Sequence, residues 1–350
     1  MANGLFARTV NQPRGKKVRL GIYPYTFARV SVMRQKLLDR NDYAKLLKME
    51  MPSIIKYLEE TEYKEFIDKD MLRSRGKELI MKALDKNLAA TYRKLLRISQ
   101  EGIRFVLELY LKRWDIHNFK TVLRGKHQGL GKDDILPYII PAGCKGEAYW
   151  HALFDLGSVE EVISHCDLYH LNGSGEGIAA VEMHLDQMYY SEIAGFASRL
   201  RGEDGIAFAN FLKLEIDLIN IRTLLRFASV GNDGHGLVLR DHLIFSGAYL
   251  DADILEQCAR ARPDEYLKII QKTPYKKIVT KESSLINIEL DLYKNWMNKG
   301  LLYSHLNPIS VLTIISYMVA KEIEVRNLKT IILAKTVHFD EKLVEEKLII

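Results

Sequence analysis

An all-α fold built from three copies of one helical unit is what this sequence predicts, and three observations carry that expectation. A ten-residue segment recurs three times at a spacing of just over one hundred residues. Apolar residues recur at three- and four-residue spacing over long stretches, as one face of a helix requires, and the strict alternation of a half-buried strand is hard to find.

The recurring segment runs Trp114-Asp115-Ile116-His117-Asn118-Phe119-Lys120-Thr121-Val122-Leu123, then Ile216-Asp217-Leu218-Ile219-Asn220-Ile221-Arg222-Thr223-Leu224-Leu225, then Ile323-Glu324-Val325-Arg326-Asn327-Leu328-Lys329-Thr330-Ile331-Ile332. The shared pattern is acid, Asn, apolar, basic, Thr, with the asparagines 102 and 107 residues apart. Two further markers keep the same order: Asp85, Asp186 and Asp291, each after a leucine, and Tyr63, Tyr169 and Tyr275. A unit of about 105 residues is too long for the common solenoid repeats, which run roughly 20 to 50.

The expected organisation is a basic extension at 1–20, then helical repeats at 21–130, 131–235 and 236–350, the last carrying the C-terminal tail. Residues 1–40 hold nine Lys and Arg against the single Asp39, so that segment is +8 and the remainder about −2 of the chain's net +6. A solvated arm is preferred over contact with nucleic acid or anionic headgroups. Helical periodicity marks Tyr43 to Phe66, Gly76 to Ile98, Ile178 to Leu200 and Ser284 to Leu301. Breakers stand between them at Gly125 to Gly131, at Pro141 and Gly143, and at Gly231 to Gly234. The stretch from Leu301 to Ala320 has no charged residue, but Asn307-Pro308 predicts a helix start inside it, so a buried core helix is expected rather than a membrane span.

Three similar units in one chain can close around a pseudo-threefold axis and leave a central hollow, with an open superhelix as the alternative. Within each helical segment the acid, Asn and Thr fall three residues apart, so Asp115, Asn118 and Thr121 form one polar strip, as do Asp217, Asn220, Thr223 and Glu324, Asn327, Thr330. They sit among apolar neighbours, and buried polar groups must be hydrogen-bonded. They are therefore expected to fasten helix to helix, and Asp85, Asp186 and Asp291 receive the same reading.

Signals of chemistry fail their structural tests. Gly173, Gly175 and Gly177 lack a preceding strand, and Gly131-Lys132 misses the spacing of a phosphate loop. His165, Cys166, Asp167 and His170 match no zinc spacing, and the three cysteines, Cys144, Cys166 and Cys258, form no CxxC pair. No catalytic, cofactor or metal site is expected. The N-terminus has no apolar core of a secretory signal, so a cytoplasmic chain is expected.

The run Asn307-Pro308-Ile309-Ser310-Val311-Leu312, continuing to Ala320 through Lys329, resembles the C-terminal signature of the C-subunit family of archaeal and bacterial V-type/A-type ATPases, which is related to the d-type subunit of the eukaryotic vacuolar enzyme. Arg29 to Leu38 with Tyr43 to Leu47 is similar to that family's opening helix pair, and the triplication matches as well. The resemblance starts near residue 20, and Leu333 departs from it where copies one and two have Arg124 and Arg226. It implies a funnel of three helical units, monomeric within the complex and peripheral to the cytoplasmic face of the membrane. One end would meet the proteolipid rotor ring and the hollow would take the foot of the central shaft, coupling ATP hydrolysis or synthesis to proton or sodium transport. No cofactor is implied. The alternative to a solvated arm for Arg8, Arg14, Lys16, Lys17 and Arg19 is a place near anionic headgroups beside the ring. The competing reading is a helical scaffold or nucleic-acid-associated protein, whose binding would weaken steeply with salt.

Overall fold

The computed structural model describes residues 18–20, 23–72, 74–169, 177–230, 236–280, 284–306 and 309–350. Several helices begin where a side chain satisfies a free N–H group of the first turn. Asp39 accepts from the Asp42 amide while Asp42 accepts from that of Asp39. The side chains of Ser158, Asp251, Ser310 and Asp340 accept from first-turn amides of later helices.

In chain order, α1 (Pro24–Arg34), α2 (Arg40–Lys48), α3 (Met51–Glu59) and α4 (Lys64–Asp70) lead into a long pair, α5 (Gly76–Ile98) and α6 (Glu101–His127). Next, α7 (Lys132–Ile135), α8 (Glu147–Phe154) and α9 (Val159–Ser164) lead into α10 (Ile178–Ala197) and α11 (Glu203–Val230). Finally, α12 (Gly236–His242), α13 (Ala252–Arg260) and α14 (Tyr266–Ile270) lead into α15 (Leu285–Leu306) and α16 (Val311–Thr336), and α17 (Glu341–Lys347) follows. Short helices before a long hairpin is thus a pattern used three times. Strand content among the described residues is confined to β1 (Val18–Arg19) and β2 (Leu200–Arg201), which pair in parallel, so the fold is all-α.

The predicted helix Gly76 to Ile98 is α5 itself. The stretch Tyr43 to Phe66 is not one helix but parts of α2, α3 and α4. Pro52 lies in the first turn of α3, where a missing N–H is harmless, but it could not continue a helix arriving from α2. The uncharged stretch 301–320 is shared between the end of α15 and the start of α16. The cap is Ser310, whose hydroxyl accepts from the Leu312 amide, and Asn307 and Pro308 lie outside the described residues. No helix among the described residues is long and apolar enough to cross a membrane.

The six long helices pack in the cyclic order α5, α6, α10, α11, α15, α16 and back to α5, and α11 also touches α16. Three of these joints carry one buried hydrogen bond each across the pair. Tyr92 Oη of α5 donates to the Met318 carbonyl of α16 at 2.9 Å, Tyr189 Oη of α10 to Tyr110 O of α6 at 3.0 Å, and Trp296 Nε1 of α15 to Phe211 O of α11 at 3.3 Å. A ring anchored by a polar tip while its body is buried fixes both the spacing and the axial register of two helices.

Candidate functional site in the central hollow

The repeated polar residues hold the chain that follows each motif helix. Asn118 of α6 donates to the Ile140 carbonyl at 2.7 Å and accepts from the Ile140 amide at 2.9 Å. Asn220 of α11 makes the same two bonds with Ile244, both at 2.9 Å, and Asn327 of α16 makes them with Ile349 at 2.7 and 3.0 Å. A carboxamide has one donor edge and one acceptor edge, so it saturates an extended residue as a strand partner would. The three asparagines are buried.

The acids act on the next stretch. Asp115 accepts from the amides of Cys144 and Lys145 at 2.8 and 3.0 Å. Asp217 accepts from those of Ala248, Tyr249 and Leu250 at 2.8 to 3.1 Å, and from Tyr275 Oη at 2.9 Å. Both carboxylates lie where only glycine fits beside them, since a Cβ on Gly143 or Gly247 would overlap the Asp115 or Asp217 side chain. Burial pushes the Asp115 carboxyl up to about 6 and Asp217 upward too, although the donated amides oppose it. Glu324 instead accepts from Tyr63 Oη, from the Leu38 amide and from buried Lys321, at 2.6, 2.6 and 2.7 Å. Tyr169, the tyrosine after the first motif, donates to Glu192 at 2.6 Å.

Thr121 and Thr330 donate back to their own helices, to His117 O and Arg326 O, and half-buried Thr223 lines the hollow. Asp186 pairs with Lys120 at 2.5 Å and Asp85 with Lys329 at 2.6 Å, so each meets the basic residue of a motif; Asp291 is exposed. Arg8, Arg14, Lys16 and Lys17, together with Gly173, Gly175 and His170, lie outside the described residues, and Arg19 stands in β1. His165 caps the C-terminus of α9, and Asp167 pairs with Lys145.

Between the motif helices lies a hollow of about 560 Å³, walled by α6, α10, α11 and α15 and joined by Glu322 of α16. A smaller chamber of about 260 Å³ shares Trp114, Tyr293 and Glu322 with it and adds Asp85, Arg326 and Lys329. In the main hollow Arg113 forks to Glu215 at 2.7 Å and Glu322 at 2.5 Å, and also reaches Tyr110 Oη at 2.9 Å. Burial by itself would lower the Arg113 pKa, but the two carboxylates and nearby tyrosines hold it well above the ordinary value. Burial raises Glu215, and Arg113 opposes the rise.

Sequence reading missed this trio. The signal was present: each member stands two residues before the acid of its motif, but as Arg, Glu and Glu rather than as one repeated type. Further out, Arg124 grips Glu182 with two bonds of 2.6 Å and Arg226 stands 3.7 Å from Glu289, whereas the third position is the apolar Leu333. All four carboxylates of the main hollow, Glu182, Asp186, Glu215 and Glu322, are ion-paired. Among the described residues no cluster of His, Cys, Asp and Glu could hold a metal ion. The main hollow is thus walled by those four carboxylates and five basic side chains, Arg113, Lys120, Arg124, Arg222 and Arg226.

A sequence model of the ATP synthase (C/AC39) subunit family matches residues 26–347. Similar proteins include the C subunit of the A-type ATP synthase of Methanosarcina acetivorans, 32% identical over 345 residues, covering 96% of this chain and 95% of that protein. Its counterpart in Methanococcoides burtonii is 30% identical, covering 94% of each. The one in Archaeoglobus fulgidus is also 30% identical, covering 94% of this chain and 96% of the relative.

Proposed function

This chain belongs to the ATP synthase (C/AC39) subunit family, and we propose that it is the non-catalytic socket of a rotary A-type or V-type ATPase, joining the central shaft to the membrane proteolipid ring. In this reading the hollow receives the foot of the shaft, and the opposite end of the body rests on the ring. The protein is monomeric within the complex and peripheral on the cytoplasmic face of the membrane. It takes no cofactor and passes torque, so that ATP hydrolysis or synthesis is linked to proton or sodium movement.

The observation that supports this most is the Arg113 fork. A socket must not shear when one end is twisted, and Arg113 ties α6 to α11 and α16 at one point. Its partners lie 102 and 209 residues away, at equivalent places in the motif. We read the three motif helices as related by a pseudo-threefold axis through this point, with unit boundaries near residues 130 and 235. Packed helical cores deform little, so twist applied at one end reaches the other.

A cysteine replacing Arg222 in the hollow tests the assignment. Cross-linked to a shaft protein in the assembled enzyme, it should leave ATP-driven ion transport intact, because socket and shaft would turn together. A cross-link that forms but stops transport would place this chain outside the rotor, and failure to reach any shaft protein would remove the hollow as its seat.

A further inference from the structure

We propose that residues 36–70 are a clasp that completes the third helical unit from the other end of the chain, and that the ring of long helices opens preferentially at this seam. The inference rests on the three-unit reading but not on the coupling role, and either can fail without the other.

The first two motif helices are each clamped by the chain that follows them: α6 by Ile140, Cys144 and Lys145, and α11 by Ile244, Ala248, Tyr249 and Leu250. On α16 the chain that follows supplies the asparagine's partner, Ile349. The next place is filled by the amide of Leu38 on Glu324, 286 residues away along the sequence. Tyr63 then reaches Glu324 as Tyr275 reaches Asp217. Leu38 precedes Tyr63 by 25 residues and Tyr249 precedes Tyr275 by 26, so the borrowed stretch has the length of the one it replaces. A cation stands over the tyrosine here as well, Lys321 at 4.4 Å from the Tyr63 ring and Lys112 at 3.8 Å from that of Tyr169. Packing of α1 and α5 on α16, and of α2 on α17, continues the seam.

Two features make this joint unlike its counterparts. Covalent continuity keeps the first two clamps beside their helices after a bond breaks, while the third is reached across 261 and 286 residues of chain and has no such tether. It also buries an ion pair, Lys321 at 1% and Glu324 at 3% side-chain exposure. Ions withdrawn from water lose solvation that their attraction offsets only in part, and opening the seam restores it. Against this, Leu46, Leu47, Ile54, Leu58, Tyr63 and Ile67 are buried, so opening is a rare fluctuation and not a resting state.

Native-state hydrogen exchange on the full chain tests the clasp. Amides of 38–67 should exchange at least tenfold faster than those of the clamps at 140–169 and 244–275. Glu324→Gln should raise exchange at 38–67 by a further tenfold or so and leave the other two clamps unchanged. Tyr63→Phe, which removes only one hydroxyl, should give the same pattern at smaller amplitude and serves if Glu324→Gln does not fold. Equal protection of all three clamps, or a rise shared by all three in either variant, overturns the proposal.

Discussion

Arg113 and Glu322 meet at 2.5 Å although 209 residues separate them, and the same guanidinium holds Glu215 at 2.7 Å. Replacing Arg113 by Met leaves two carboxylates facing each other in a buried place. The expected loss is about 3 to 5 kcal/mol at neutral pH. Burial already raises the Glu215 pKa and Arg113 is what opposes it, so without the arginine the folded protein favours protonation more strongly. The variant's deficit should therefore shrink as pH falls. Denaturant titrations at pH 7 and at pH 5 check both size and sign, and Arg113→Met combined with Glu215→Gln and Glu322→Gln should recover much of the loss.

The asparagine clamps should not be equal. Substituting Ala for Asn327 strands both the N–H and the C=O of buried Ile349, at about 2 to 4 kcal/mol, whereas Asn220→Ala strands only the Ile244 N–H, whose carbonyl keeps the Ser246 amide at 2.8 Å, at about 1 to 3 kcal/mol. Ile140 is half-buried, so after Asn118→Ala its groups reach water and the loss should be smaller. Thermal unfolding of the three variants gives the ranking directly.

Glycine replacements separate close approach from helix propensity. Gly143→Ala and Gly247→Ala place a methyl against Asp115 and Asp217 and should each destabilise by about 1 to 3 kcal/mol. Gly195, exposed in α10 with open space where its Cβ would go, should stabilise slightly on becoming Ala, by about 0.5 to 1 kcal/mol. Melting temperatures should move in opposite directions.

Asp115 carries a pH dependence of its own. Its carboxyl is pushed by burial from the ordinary 3.8 up to about 6. Folding therefore takes up protons between those values, and this residue's contribution is greatest below pH 4 and declines as pH rises through 6. The decline is on the order of 2 to 3 kcal/mol. Asp115→Asn should lose one amide contact and flatten this part of the stability–pH curve.

Much of this architecture is legible in residue order. Helical periodicity places α5 to the residue, and the repeated Asp, Asn and Glu are the residues that hold the loops, because a buried polar side chain in an apolar helix must have a partner. Asp85 and Asp186 fasten helix to helix as expected, through Lys329 and Lys120, but what Asp115, Asn118, Asp217 and Asn220 fasten was less legible, loops rather than a neighbouring helix, since periodicity reports a face and not its occupant. Arg113, Glu215 and Glu322 escaped because position is repeated there while charge is not. The Tyr43 to Phe66 stretch is helical as its spacing predicts, but it is divided among α2, α3 and α4, with Pro52 resetting the helix at the start of α3.

Coupling itself is measured in membranes whose ATPase lacks this protein, by following ATP hydrolysis and ion transport before and after the purified chain is added. Recovery of transport in step with hydrolysis is the expected result, and the Arg113→Met protein should restore less of it than wild type under conditions where both are folded. Hydrolysis and transport indifferent to the added protein would contradict the role of a torque-transmitting socket.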